Sequence, residues 1–492
     1  MLAMSSRLNR RQFLCSTVAT ALPAAAAGAR PNIVFLLPDQ LRAQALGCMG
    51  NPDVKTPNFD RLAASGILLK NTFANTPVCC PARAVLLTGK YASANGMIAN
   101  DLRFRESEVT IAKILGKAGY RTGFIGKWHL DGGPRLPGFV PPGARRQGFE
   151  FWAANECSHA HYNTQYFRDT PEPIPMKKFE AEGWADLALE FLDGKQPAAK
   201  QRDPRPFFVT IQMGPPHDPY KAPPEYAQLY DPEKLTMRPN YQQTDRAPGR
   251  QAIAEYYGMV TAVDHQLGRI MGKLEELGLA NNTIFLVCSD HGDMLGSQGE
   301  RLKRKPWEES IRVPGMIRWP AQIKPAQQSE MLFSHVDIAP TLLGMCGVPV
   351  PPSMQGRNLA SAITTGKGAT PESVYFQIFG PYQGDDTPQG WRGVRTAKHM
   401  YARFEDKPWV LYDIEADPYE QKNLADDPAA KPIRQQMEKH LQHWMKSTGD
   451  SWSKNWNHLV EDAGHLYKQG TFHTVDEYLS WAAKNGVEVL RR

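Results

Sequence analysis

With 492 residues, 41% of them hydrophobic and 22% charged, the chain is long enough for one large domain with a deep core and a smaller one beside it, and its composition excludes a disordered or fibrous protein. A net charge of +6 is mild for this length. No block of like charges marks a nucleic-acid arm, so no nucleic-acid partner is expected.

The first thirty residues differ in kind. Arg10 and Arg11 precede Gln12, Phe13 and Leu14, and an Ala-rich apolar run continues to Ala27, with small residues suited to cleavage near Ala25, Ala27 or Ala29. Residues 1–29 resemble a twin-arginine signal peptide, which implies the twin-arginine translocase as a partner and a mature protein that is exported, periplasmic or secreted. The apolar run is too short to span a bilayer, so no stable membrane insertion is expected.

Asn32 to Leu37 is a continuous apolar run, as in a strand buried on both faces of a parallel sheet, and it ends at Pro38-Asp39-Gln40. Thr56 and Pro57 read as the cap and first turn of a helix that stops at Gly66, and the same grammar recurs from Thr110 to Gly119. Thr122 to Ile125 is strand-like, and Lys127 and His129 follow it. Phe207 to Ile211 and Thr283 to Val287 read as internal strands. Between them Ile253, Tyr257, Val260, Val263, Leu267, Ile270, Leu274 and Leu277 recur at helical spacing, and Gly278 supplies a stop. This alternation predicts an α/β domain over residues 30–370, a large, mostly parallel sheet sandwiched by helices. Beyond Thr370 the pattern changes to short strand-like runs at 374–379, 393–395 and 409–412 and a helix near 430–445. Residues 371–492 are expected to form a smaller α+β C-terminal subdomain and tail.

Polar residues collect where the strands end: Asp39 and Gln40, Lys127 and His129, His217, and Asp290 with His291. In an open α/β sheet such ends converge on one edge, where ligands bind. Asp39, the Gln40 amide oxygen and Asp290 are hard oxygen ligands suited to Ca²⁺, Mg²⁺ or Mn²⁺, and His291 would tilt the choice toward Mn²⁺ or another transition ion. Taken singly, each aspartate reads as well as a helix cap, and His129 beside Trp128 as a packed ring; only the combination points to a site. Seven cysteines occur, at 15, 48, 79, 80, 157, 288 and 346, without a zinc-type ladder. Disulfides among Cys48, Cys157, Cys288 and Cys346 are compatible with export, but no pairing is specified.

The segment Pro77-Val78-Cys79-Cys80-Pro81-Ala82-Arg83, continuing to Leu86-Leu87-Thr88-Gly89-Lys90, resembles the signature of the type I, formylglycine-dependent sulfatases of the alkaline-phosphatase-like superfamily. The resemblance extends to Gly126-Lys127-Trp128-His129, Pro216-His217, Ser289-Asp290-His291-Gly292, Lys303 with Trp307 to Pro314, Val336 to Leu343 and Leu411-Tyr412-Asp413. It implies that Cys79 is oxidised to formylglycine by a formylglycine-generating or anaerobic sulfatase-maturating enzyme. It also implies one divalent metal ion, Ca²⁺ first with Mn²⁺ and Mg²⁺ as alternatives, held by Asp39, Gln40, Asp290, His291 and the modified Cys79. By the same resemblance Arg83 and Lys127 hold and polarise the formylglycine, and His129 takes a proton from it. His217 and Lys303 grip the sulfate and protonate the leaving oxygen. The substrate expected is a small sulfate monoester, aryl or preferably carbohydrate. Asp39-Gln40 and Asp290-His291 depart from the commoner Asp-Asp and Asp-Asn and resemble the branch with choline sulfatases and phosphonate monoester hydrolases, as well as some glycan sulfatases. Hydrolysis of phosphonate or phosphate esters therefore stays open, as do an inactive sulfated-glycan-binding homologue and a redox or metal role for Cys79 and Cys80. Phe151, Trp152, Asn155, His159, His161, Tyr162, Tyr166, Trp391 and Arg392 are candidates to line a sugar or aryl pocket, and read equally as ordinary loop residues.

Overall fold

A computed structural model describes residues 30–100, 102–132, 137–194, 203–379, 390–450 and 452. The expected signal peptide at 1–29 lies outside them. The main sheet holds β1 (Asn32–Pro38), β2 (Ile67–Phe73), β3 (Arg121–Lys127) and β4 (Phe151–Asn155); a separate pair, β5 (Thr164–Tyr166) and β6 (Ile174–Met176), follows. It continues with β7 (Phe207–Met213), β8 (Thr283–Val287), β9 (Arg312–Val313), β10 (Met316–Arg318) and β11 (Gln327–Ser334). The spatial order is β11-β2-β10-β8-β1-β7-β3-β4, with β9 paired to β2. All pairings are parallel except those of β10 and β9, which run antiparallel to their neighbours.

The apolar run of β1 occupies the centre, between β7 and β8, with Val34 opposite Val209 and Phe285. Successive side chains of a strand point to opposite faces, so such a run needs apolar cover on both. Ile33, Phe35 and Leu37 pack into one cluster with residues of α2 (Cys79–Thr88), α4 (Ile111–Lys117) and α9 (His335–Met345). Val34 and Leu36 pack into another with α1 (Pro57–Ala64), α5 (Glu180–Asp193) and α7 (Arg250–Glu276). Short helices α3 (Ala92–Asn95), α6 (Pro224–Ala227), α8 (Glu308–Ile311) and α10 (Ala360–Thr365) fill connections. The periodic run expected between β7 and β8 is the 27-residue α7, and Gly278 after it takes the left-handed conformation, at φ 67°, that ends the helix.

One cap differs from expectation. Thr110 caps α4, accepting from the Lys113 N–H at 3.3 Å. Thr56 does not cap α1: its hydroxyl accepts from Gly47 N–H at 2.9 Å. The first-turn N–H groups of Asn58 and Phe59 donate instead to Asp264 of α7, at 2.9 and 2.7 Å. A carboxylate from the neighbouring helix meets the need that a local hydroxyl meets elsewhere.

The smaller sheet is antiparallel, β12 (Ser373–Ile378), β13 (Trp391–Thr396), β14 (His399–Arg403) and β15 (Pro408–Asp413), and α11 (Lys431–Thr448) covers it. Val374, Phe376 and Ile378 join the core of the main sheet, whereas Tyr375 packs with Met437, Leu441 and Met445 of α11. The six described cysteines are all free thiols. Among the described residues no helix is long and apolar enough to cross a membrane.

Candidate active site

The carboxyl ends of β1, β3, β7 and β8 meet the start of α2 in a buried polar cluster. Asp39, Cys79, Asp290 and His291, each at most 2% exposed, bring one ligand atom apiece within 4.8 Å of one another. The Cys79 sulfur lies 3.2 Å from His291 Nε2, which is also 3.6 Å from Asp39 Oδ1 and 3.7 Å from Asp290 Oδ1. His291 Nδ1 donates to the Gly292 carbonyl at 3.0 Å, which turns Nε2 toward the cluster.

Two cations brace the carboxylates from behind. Arg83 Nη2 donates to Asp39 Oδ2 at 3.0 Å and to Asp290 Oδ2 at 2.9 Å, and Lys127 Nζ donates to Asp39 Oδ2 at 2.7 Å. The other Arg83 nitrogen is held by the Lys127 carbonyl and the Gln212 side chain. Burial disfavours the charge on Asp39, yet Lys127, with Arg83, holds this carboxyl well below the usual range. Cys79 behaves alike: burial opposes the thiolate, but Lys303, Lys127, His291 and a hydrogen bond from His129 hold the thiol well below its ordinary value. Burial raises Asp290, and the Asp39 charge adds to the rise.

A second tier stands in front of the sulfur. Lys303 Nζ lies 2.7 Å from the Gln40 amide oxygen and 2.7 Å from His217 Nε2. His217 Nδ1 donates to the Asp218 carbonyl at 2.6 Å, so its Nε2 is the acceptor from Lys303. Gln40 Nε2 donates to Asp293 at 2.6 Å and to Asp218 at 3.3 Å, and Tyr220 donates to the same Asp293 oxygen at 2.6 Å.

All the site residues expected from sequence are thus gathered, with one redistribution. The Gln40 side chain faces Lys303 rather than the Asp39–Asp290 pair, and its backbone N–H donates to Asp290 Oδ1 at 3.0 Å. Of the candidate pocket residues, Trp152 is stacked on Phe124, Trp391 is buried, and Arg392 is buried in an ion pair with Asp450 at 2.5 Å. Asn155 is also buried, while His159 and Tyr162 retain exposure. Sequence reading missed Gln212, Asp218 and Asp293 as members of the cluster. Gln212, the polar residue that breaks the apolar run of β7 at its carboxyl end, carried the only usable signal.

The buried group suits a divalent cation. Asp39 Oδ1 is buried without a hydrogen-bond partner, and an anionic oxygen so placed calls for a positive charge. Carboxylate oxygens and an imidazole within bonding distance of one point form a donor set for a hard or borderline ion.

The mostly parallel sheet with helices on both faces, carrying this cluster at its carboxyl edge, defines a hydrolase of the alkaline-phosphatase-like type. A family model described as Sulfatase matches residues 31–348, and one described as N-sulphoglucosamine sulphohydrolase, C-terminal, matches residues 296–447. The chain is 35% identical to an ulvan-active sulfatase of Formosa agariphila, over 86% of this chain and 82% of that one. It is 27% identical to an N-acetylglucosamine-6-O-sulfatase of Bacteroides thetaiotaomicron, over 80% of this chain and 82% of that one. The crystal structure of the yidJ protein from Bacteroides fragilis superposes with a TM-score of 0.79 at 30% identity, covering 89% of this chain and 99% of that one. The chain belongs to the sulfatase family and is a sulfuric ester hydrolase.

Proposed function

We propose that the protein hydrolyses sulfate monoesters of carbohydrates with residue 79, as formylglycine, for its nucleophile. The observation that carries this reading is the buried Cys79 thiol, 3.2 Å from His291 Nε2 and held well below its ordinary value, against burial, by Lys303 and Lys127. Formylglycine at this position would supply, as its hydrate, one hydroxyl to attack sulfur and a second whose deprotonation expels sulfate. A divalent ion held by Asp39, Asp290 and His291, with Ca²⁺ first and Mn²⁺ or Mg²⁺ as alternatives, would withdraw charge from the sulfate oxygens. The Gln40 amide oxygen, which accepts from Lys303, has a second lone pair that could join that ligand set.

The remaining groups divide by position. Arg83 and Lys127 fix the carboxylates and the orientation of residue 79. His129 bonds the side chain of residue 79 and is the base for its second proton. Lys303 and His217, in contact with each other at 2.7 Å, serve as the acid: as the ester S–O bond breaks, its electron pair stays on the leaving oxygen, which takes a proton from this pair.

A sugar as the leaving group is supported by the relative that acts on N-acetylglucosamine 6-sulfate positions by name and by the match to a sulphoglucosamine sulphohydrolase C-terminal region. Maturation by a formylglycine-generating or anaerobic sulfatase-maturating enzyme, and export by the twin-arginine translocase, belong to the same proposal. Mass spectrometry of the tryptic peptide containing Cys79 from the native host, paired with sulfate release by wild type and Cys79→Ala, tests it. The expected result is formylglycine in the peptide and no turnover in the variant, with its fold intact. An unmodified thiol in active protein, or turnover by Cys79→Ala, would overturn it.

A further inference from the structure

His161 and Glu180 belong to none of the motifs above, and the reaction proposed for this site assigns them nothing. Both are buried, at 3% and 1% exposure. His161 Nε2 lies 2.6 Å from the backbone carbonyl oxygen of His217, and its Nδ1 lies 2.5 Å from Glu180 Oε1. A carbonyl only accepts, so Nε2 carries a proton; a carboxylate opposite Nδ1 calls for the second. Burial alone would make such an imidazolium costly, but the bond to Glu180 outweighs it and raises His161 above its ordinary value.

Glu180 is itself immobilised. Its Oε2 accepts from Trp184 Nε1 at 3.0 Å, and its backbone N–H donates to the His161 carbonyl at 2.9 Å. It also packs so tightly on the chain leading to His217 that a Cβ at Gly214 would collide with its carboxylate. From the other side the ring of His159 lies flat on that of His217, with centroids 4.4 Å apart and an interplanar angle of 9°. His217 is therefore gripped at its carbonyl and across its ring, with Nδ1 tied to Asp218 and only Nε2 left to face Lys303.

We propose that Glu180 and His161 form a positioning pair, which locks the His217 backbone so that Nε2 stays in line with Lys303 and the departing ester oxygen. The inference rests on the reading that His217 and Lys303 deliver the leaving-group proton. Neither Glu180 nor His161 touches substrate; both act through His217.

The test compares 4-nitrophenyl sulfate, whose phenolate departs readily, with phenyl sulfate, whose leaving group depends far more on the proton. Glu180→Gln, which keeps the volume and removes the charge, and His161→Ala are assayed in the mature enzyme beside His217→Ala. General acid–base catalysis contributes about 10²–10⁴-fold, so a misaligned acid should lower kcat on phenyl sulfate by about 10- to 100-fold and on 4-nitrophenyl sulfate by only about 2- to 3-fold, with KM little changed. Glu180→Gln keeps the test decisive if His161→Ala fails to fold. Equal losses on the two substrates, or none, while His217→Ala discriminates between them, would overturn the positioning role alone. If His217→Ala does not discriminate, the proton-delivery reading itself fails and this inference with it.

Discussion

Replacing Asp264 by Asn tests the unusual capping of α1. Asp264 is 2% exposed, and its carboxylate accepts from the Asn58 and Phe59 N–H groups and from the Asn58 side-chain amide at 2.8 Å. Burial outweighs these bonds and lifts the carboxyl from 3.8 to about 6. A carboxyl raised in the folded state contributes stability that is fully present below its unfolded value and is lost as pH rises through the folded one. From pH 8 to pH 5 the linkage between values of about 6 and 3.8 amounts to about 1.4 kcal/mol in favour of the folded wild type. Asn at this position cannot titrate, so the stability of wild type minus that of the variant should rise by about that amount over the same interval. Urea unfolding of both proteins at pH 5 and pH 8 measures the change. A difference that does not vary with pH, or that moves the other way, would refute the account of Asp264 as a neutral cap at low pH.

Chelation of the mature protein with EDTA is expected to abolish sulfate release and lower the melting temperature, because Asp39 Oδ1 then stays buried without a partner, and added Ca²⁺ should reverse both. Lys303→Met should lower kcat/KM on sulfates of poor leaving groups by about 10²-fold or more while the melting temperature changes little. The atoms that Lys303 leaves behind, the Gln40 amide oxygen and His217 Nε2, do not belong to carboxylates. Gly126→Ala should cost at least about 3–4 kcal/mol and abolish soluble expression, since Gly126 has φ 108° and a Cβ there would strike the Gln212 carbonyl of β7. Recovery of folded Gly126→Ala protein at wild-type yield would show that the two strands separate more easily than their packing implies.

The parts of the fold that could be read in advance are those whose burial leaves a one-dimensional trace. β1, β7 and β8 are covered on both faces and appear as mainly apolar runs, and α7 as a periodicity from Ile253 to Leu277. β2 escaped because Lys70 and Asn71 interrupt it where it is only half-buried, and β10 because three residues carry no period. In the small sheet, β14 lies between two recognisable strands but begins and ends on His399 and Arg403. The site was legible for a related reason: polar residues immediately after apolar runs mark strand ends, and the Cys79 segment is a dense motif. Long-range pairs leave no such mark. Nothing near Thr56 announces that Asp264 will cap its helix, or near Trp391 that Arg392 is committed to Asp450. His161 and Glu180, nineteen positions apart, meet only because α5 packs beside the loop that carries His217.

The burial of α2 has a bearing on the order of events in the life of the chain. The helix that begins at Cys79 sits between the main core and the small sheet: Cys80 and Ala84 pack with Phe376 and Ile378 in one cluster, and Val85 packs with Tyr375, Val394 and Leu411 in the other. Cys79 itself is 2% exposed in the folded chain. An enzyme that must touch that side chain needs an open approach, which a residue so buried in the folded chain does not offer. On the function proposed above, the oxidation of Cys79 has to come before folding ends. A chain that folds faster than it is modified would be locked, stable and well packed, as an inert thiol form.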